Sequence, residues 1–402
     1  MTTLFLPCAG GVEALLADEV QAITGAAGQA VRGGVWVEGD ERTAMRLNLE
    51  SRLAQRVLWP LIDGPYRDEH DLYDLARRVP WADWITPQQT LKVEVLAQQS
   101  PLKSLNFTTL KIKDAVCDTL RDSTGARPSV DTHAPFLPLM LYAGPDHASL
   151  YADTSGAALF KRGWRDAQGG RVAVKGEAPL KETLAAAMLA AAGWQGREED
   201  GPLLDPFCGA GTIAIEAAQM ACGIAPGLQR RFAFERWPLF ASQRGAWAEI
   251  RQAAEARVHR SAVPIFADDV SFRMTDFAAR NAERAGVARA IEFKTADALQ
   301  RPAPAPAGTM VFNPPYGERI APKGRGQTVA REQFEGGDAQ AFFRDLAAHW
   351  KQHYAGWTMW CLSPEMKLPS LLRLKEFRRV PLWNGAIECR LFGFKVVAGS
   401  AR

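Results

Sequence analysis

The sequence has no apolar run near the roughly 18 residues that a membrane span needs, and no basic region followed by an apolar core at its start, so neither export nor membrane insertion is expected. Its six cysteines, Cys8, Cys117, Cys208, Cys222, Cys361 and Cys389, form no C-x-x-C pair and have no histidine grid beside them. This argues against a zinc site or a disulfide framework and fits a reducing cytoplasm; no metal is expected. Net charge is nearly absent, +3 from 48 Lys and Arg against 45 Asp and Glu, so any affinity for nucleic acid must come from local clusters of Lys and Arg. There is no internal repeat, and the alternating Pro and Ala of residues 302–308 are too short for a functional low-complexity tract.

What is present is an ordinary composition, 47% hydrophobic and 23% charged, in 402 residues, too many for one core of usual size. Leu15, Leu16, Glu19 and Val20 are spaced for one face of a helix over 11–20, and Val35 and Val37 lead a strand toward Gly39. Met45, Leu47, Leu49 and Leu53 predict a helix from Glu41, followed by a strand over 56–62. A second α+β unit holds a strand over 91–97, a helix over 104–120, and paired strands over 137–142 and 148–153. The Gly- and Arg-rich stretch 161–176 lacks an apolar period and reads as a linker, dividing an N-terminal half, 1–165, from 166–402. From a helix over 180–192 onward, strands and helices alternate as in a parallel, doubly wound α/β sheet.

In that second half, residues 203–212 (LLDPFCGAGT) are an apolar strand ending in Asp205, a turn with Gly209 and Gly211, and then a helix from Thr212. The glycines let backbone approach a ligand, and Asp205 suits a cationic amino group such as the methionine end of S-adenosylmethionine. The segment 265–270 (IFADDV) closes on carboxylates that can accept ribose hydroxyl protons; Asp269 is the choice, with Asp268 competing. Residues 291–298 (IEFKTADA) read as a strand closing on Asp297, whose oxygen can accept from an adenine amino group. Each acid by itself is equally well a solvated strand end or a helix cap; three in order point to a nucleoside cofactor.

A strand over 309–312 then runs into Asn313-Pro314-Pro315-Tyr316. Consecutive prolines stiffen the turn and leave their carbonyls free. The Asn313 side-chain oxygen and the Pro314 carbonyl can each accept one hydrogen of a planar amino group, and Tyr316 can stack on the base that carries it. With an activated methyl donor no strong general base is needed.

The motifs DPFCGAGT, IFADDV, TADA and NPPYGER stand in the order of the class I S-adenosylmethionine-dependent methyltransferases that modify amino groups, and residues 170–398 resemble that family. NPPY-type turns occur in enzymes acting on adenine N6, cytosine N4, guanine N2 and a protein glutamine amide. The segment 175–184 (KGEAPLKETL), together with DTSG at 153–156 and KRGWR at 161–165, is similar to bacterial large-subunit rRNA guanine-N2 methyltransferases of the RlmL type. Residues 8–19 resemble that family's ferredoxin-like opening, and residues 50–155 resemble a THUMP domain, an RNA-binding module.

The resemblance implies a Rossmann-like methyltransferase domain preceded by ferredoxin-like and THUMP domains, and S-adenosylmethionine as cofactor. It also implies that Leu180, Thr183, Phe207, Cys208, Thr212, Ala298 and Asn313 join Asp205, Gly209, Gly211, Asp269 and Asp297 around that cofactor. Ser271 stands where many relatives have a second acid, leaving the ribose to Asp269. With no second methyltransferase domain before Arg402, guanine-N2 methylation of 23S rRNA is the implied activity, in a cytoplasmic monomer. A tRNA guanine-N2 enzyme, a DNA adenine or protein glutamine methyltransferase, and a non-catalytic assembly factor are the alternatives.

For RNA, the candidates are Lys103, Lys111 and Lys113 near or on the helix over 104–120, and Arg162 and Arg165 at the junction, with Trp164 either stacking a base or filling the hinge. Residues 230–237 (RRFAFERW) interleave cations and aromatics as single-strand binders do, although packing is their more ordinary role. The stretch 321–337 is a candidate lid.

Overall fold

The computed structural model describes residues 1–165, 180–314 and 336–397. The expectations placed on 166–179, on Pro315, Tyr316 and Gly317, and on the lid up to 335 lie outside these residues. Contacts divide the chain into two units: Met1–Cys8, Leu16–Leu159 and Arg230–Ala253 form the first, and Ala9–Leu15, Phe160–Gln229 and Ala254–Arg402 the second. The single boundary that the sequence predicts at 165/166 includes neither exchange of segments.

The first unit is built on one eight-stranded sheet in the order β2-β3-β1-β4-β8-β7-β5-β6. In chain order its elements are β1 (Thr2–Pro7), α1 (Glu13–Thr24), β2 (Gln29–Val31), β3 (Gly34–Gly39), α2 (Glu41–Glu50), β4 (Leu58–Pro65), α3 (Glu69–Arg77), β5 (Thr90–Ala97), α4 (Leu105–Thr124), β6 (Ser129–Val130), β7 (Leu137–Ala143) and β8 (His147–Asp153). Helix starts follow local chemistry: Asp40 caps α2 through the Thr43 N–H, Asp68 caps α3, and Ser104 caps α4 through the Phe107 N–H. The DTSG segment has a structural role. Asp153 is ion-paired with Arg56, while Thr154 accepts from the buried Asn48 amide and Ser155 donates back to Asn48.

The run RRFAFERW belongs to this unit as packing. Phe232, Phe234 and Trp237 are buried, the Trp237 indole donates to the Phe136 carbonyl at 2.9 Å, and Arg230 donates to the carbonyls of Ser155, Ala157 and Ala158. These aromatics leave no ring face for a base.

The second unit contains α5 (Glu182–Ala192), β9 (Leu203–Asp205), α6 (Thr212–Ala221), β10 (Ile265–Asp269), α8 (Phe272–Arg284), β11 (Ile291–Thr295), β12 (Gly308–Phe312), α9 (Gly336–His353), β13 (Trp357–Ser363), α10 (Leu368–Leu372), β14 (Glu376–Asn384) and β15 (Ile387–Lys395); α7 (Arg244–Ala256) falls mostly in the first. Its seven strands run β11-β10-β9-β12-β13-β15-β14. β9 to β13 are mutually parallel, as the alternation predicts, and the edge adds a reversal, β15 being antiparallel to both β13 and β14. The reversal is local: Asn384 faces Ile387 across a two-residue turn in which Gly385 takes φ 66°. Because β9 has β10 on one side and β12 on the other, a crevice opens at the carboxyl ends of these strands, where open α/β sheets bind ligands.

Candidate active site

The turn after β9 is tied to β10 on its far side. The Cys208 N–H donates to the Asp268 carbonyl at 2.8 Å, the Gly209 N–H to Asp269 Oδ2 at 3.0 Å, and from α8 the Asn281 amide donates to the Ala210 carbonyl at 2.8 Å. Gly211, at φ 84°, is where α6 meets α8, since a Cβ there would lie 3.0 Å from the Ala278 Cβ. Gly209, at φ 52°, differs: a Cβ would meet only the Met274 Cε, at 4.0 Å. Gly211 serves packing between helices, and Gly209 leaves open space at the strand end.

Two carboxylates, Asp205 and Asp269, converge here, with a third, Asp268, close behind. Asp205, 1% exposed, accepts the Phe207 N–H. Burial raises its carboxyl well above the usual range, that hydrogen bond opposes the rise, and the charges of Asp269 and Asp268 add to it. Asp269 accepts from Gly209 and from the Ser271 N–H at 2.9 Å, and burial raises it too. Each of its oxygens keeps a second lone pair for a ligand. Asp268 points the opposite way along the strand, into an ion pair with Arg301, and burial pushes its carboxyl up to about 6 despite that cation. A buried group of acids gains most from a ligand that brings positive charge.

Asp297 lies beyond β11, not at its end. Its Oδ1 accepts the Leu299 N–H at 2.9 Å, and its carbonyl accepts from Gln300 and Arg301, so it caps the turn that delivers Arg301 to Asp268. Ala298 is buried beside it, and Leu180, Thr183 and Thr212 are buried as well. The Cys208 thiol is buried, and burial together with the three acids drives it well above its usual range, which makes it an inert wall.

At the end of β12, Phe312 is held between the rings of Phe207, 5.6 Å away, and Trp350, 5.3 Å away. The next residue is Asn313, whose Oδ1 is shielded from solvent and has no hydrogen-bond partner among the described residues. Pro314 is buried behind it. An orphaned buried acceptor costs about 1–3 kcal/mol, which a donor arriving at this place would recover.

The junction arginines are withdrawn as RNA contacts. Arg162 is buried and pairs twice with Glu216 of α6, and the Arg165 Nε lies 2.7 Å from Glu182 Oε1 while its Nη2 donates to Thr212 Oγ1 at 2.5 Å. Trp164 is buried beneath the Arg165 guanidinium, 4.6 Å from it. Among the lysines, Lys103 is exposed, Lys111 sits over the rings of Tyr73 and Phe107, and Lys113 pairs with Asp114. Sequence reasoning missed Arg301, Asn281, Glu182 and Glu216, which hold the site from behind. Their partners are mostly tens of residues away and leave no local signal.

Residues 168–392, more than half of the chain, match the RMKL-like methyltransferase domain family. The chain belongs to the RMKL-like methyltransferases. Ahead of this methyltransferase domain, residues 66–153 match the THUMP domain and residues 3–58 the RlmL ferredoxin-like domain, the order that the sequence resemblance implied. Over its whole length the chain is 33% identical to the ribosomal RNA large subunit methyltransferase K/L of Shewanella pealeana and 34% identical to that of Aeromonas salmonicida. It spans about half the length of these relatives, 54% and 55%. Among solved structures, a possible methylase from Clostridium difficile 630 is 26% identical with TM-score 0.83, covering 100% of both chains. A predicted N6-adenine-specific DNA methylase from Listeria monocytogenes is 28% identical with TM-score 0.81, over 98% of this chain and 96% of that one.

Proposed function

We propose that this RMKL-like methyltransferase transfers a methyl group from S-adenosylmethionine to the exocyclic N2 of a guanine in 23S rRNA. The observation that carries the amino-group chemistry is the buried Asn313 Oδ1 just after β12, which has no hydrogen-bond partner among the described residues. Such an oxygen accepts one N–H of a planar amine, favours its pyramidal form and frees its lone pair for attack.

S-adenosylmethionine, when bound, supplies an electrophilic methyl carried on a positively charged sulfur. The residues that would hold it fit such a group: the buried acids Asp205 and Asp269 favour a cation, Gly209 leaves room, and Asp297 and Ala298 close the adenine side. Leu180, Thr183, Phe207, Cys208, Gly211 and Thr212 complete the wall, and Pro314 continues the substrate side; the catalytic roles proposed for Pro315 and Tyr316 rest on the sequence motif alone. The chain's own work is to orient the amine and keep water away.

Support for rRNA comes from the relatives named for it and from the THUMP match, and Lys103, Lys111 and Lys113 are the phosphate contacts proposed there. The same acceptor serves an adenine N6 amine, a reading that the Listeria relative favours and the THUMP match disfavours. Mass spectrometry of nucleosides from 23S rRNA and tRNA of cells lacking the protein, before and after adding it back, separates these. N2-methylguanosine lost from and restored to 23S rRNA supports the proposal; the same result in tRNA changes the target, and no change in either rejects both.

A further inference from the structure

At the far edge of the second sheet, residues 366–380 carry Lys367, Arg373, Lys375, Arg378 and Arg379 against a single acid, Glu376. Glu376 is committed to Arg379, Oε1 to Nη2 at 2.5 Å, and that guanidinium rests over the Phe392 ring. Lys375, Arg378 and Lys395 are exposed and have no ion pair among the described residues. In their midst is Phe377, 48% exposed on the edge strand β14. The ring is held in place: Trp360 meets it edge-on with centroids 5.3 Å apart, and the Lys395 Nζ lies 5.6 Å from its centre. Gly393 on β15 makes room for it, because a Cβ there would come within 3.0 Å of the Phe377 Cζ.

Cations on an edge strand discourage pairing with a second sheet. A half-exposed phenylalanine works against that role, so the cations alone do not account for this edge. A fixed aromatic ring flanked by unpaired cations is instead the composition that stacks an unpaired base and grips the phosphates beside it. We propose that this edge is a second RNA-contact surface, carried by the methyltransferase domain, in which Phe377 stacks one unpaired base and Lys375, Arg378 and Lys395 hold neighbouring phosphates. The proposal rests on the RNA reading above.

The register sets its distance from the chemistry. Cys361 pairs with Phe312 next to Asn313, and Thr358, three residues earlier, pairs with Lys395. Lys395 is therefore about 10 Å back along the strands and about 10 Å across them. Phe377, on β14, lies one strand farther out, so RNA held here is well away from the reacting base and its loss affects binding, not turnover.

The test uses the full chain, unmodified 23S rRNA transcripts, and two variants: Phe377→Ala and the triple Lys375→Glu/Arg378→Glu/Lys395→Glu. For Phe377→Ala the KM for RNA is expected to rise about fivefold or more, with kcat and the calorimetric affinity for S-adenosylhomocysteine unchanged, and Phe377→Trp is expected to restore it. The triple variant is expected to raise KM further and to flatten the slope of log affinity against log salt by about 2 to 3. Folded variants with wild-type KM and wild-type salt slope would overturn the surface while leaving the RNA reading intact. A wild-type protein that neither binds nor methylates the transcripts would overturn both.

Discussion

Arg162 and Glu216 form a two-point ion pair inside the second unit, Nε to Oε1 at 3.0 Å and Nη2 to Oε2 at 3.2 Å, with both side chains sealed from solvent. Together with Arg165, Glu182 and Thr212 it fastens the segment ahead of residue 166 to the starts of α5 and α6. Burial lowers the Arg165 pKa while Glu182 and Glu216 oppose that, and burial raises Glu182 while Arg165 opposes it, so each charge depends on its partner.

Removing one member of such a pair leaves the other charged and buried. Arg162→Met is expected to cost about 3–5 kcal/mol in urea denaturation, while the RNA affinity of the folded fraction stays unchanged. Undiminished stability with weakened RNA binding would return Arg162 to the RNA surface.

Asn313→Ala deletes the acceptor and little else. The expected loss is about 2.7–4 kcal/mol of transition-state stabilisation, roughly 100- to 1,000-fold in single-turnover rate, with cofactor affinity unaltered in calorimetry. Wild-type turnover in this variant would remove Asn313 from the mechanism.

The two glycines of the turn are expected to separate packing from binding. Both have positive φ, which costs an alanine about 1–2 kcal/mol. Gly209→Ala should lose little more than that in stability, yet bind S-adenosylhomocysteine at least about tenfold more weakly, since its Cβ enters the open space. Gly211→Ala crowds Ala278 and should melt at a lower temperature than Gly209→Ala. Thermal melts with and without S-adenosylhomocysteine decide it; equal affinity in Gly209→Ala and wild type would put the ligand elsewhere.

Asp268 gives a pH signature. Burial, opposed by Arg301 and Lys294 and aided by Glu292, lifts its carboxyl from 3.8 to about 6 in the folded protein. Between those values the folded state holds the proton and the unfolded chain releases it, so this group's contribution to stability falls as pH rises from about 4 to about 6, by about 3 kcal/mol. Asp268→Asn, a neutral stand-in for the protonated acid, should lack that fall, so any cost of the substitution should be largest at low pH and shrink as pH rises through about 6. Denaturant titrations at several pH values check it; parallel curves for the two proteins would contradict the shift.

Much of the site was legible in the sequence because its motifs are local. The apolar run ending in Asp205, the glycine turn and the helix at Thr212–Ala221 follow from neighbours within a few positions, and the strand into Asn313 was bounded by its own prolines. β11 is shorter than its sequence predicts, because Asp297 has an acid's chemistry at a strand end whereas its carboxylate caps the following turn.

Sequence by itself determined the turn, the order of the three acids, the place of the acceptor proposed for the amine, and the domain order, since backbone conformation over a few residues depends on those residues. Only the tertiary structure decided where the charges went. Alternation along β10 sends Asp268 to Arg301 and leaves Asp269 at the turn, Arg162 finds Glu216 far along the chain, and RRFAFERW is drawn into the core of the other unit. A cation in a sequence reads the same whether it faces phosphate or a buried carboxylate. The choice is made by burial, which penalises an unpaired charge so heavily that any arginine folded inside must find its acid.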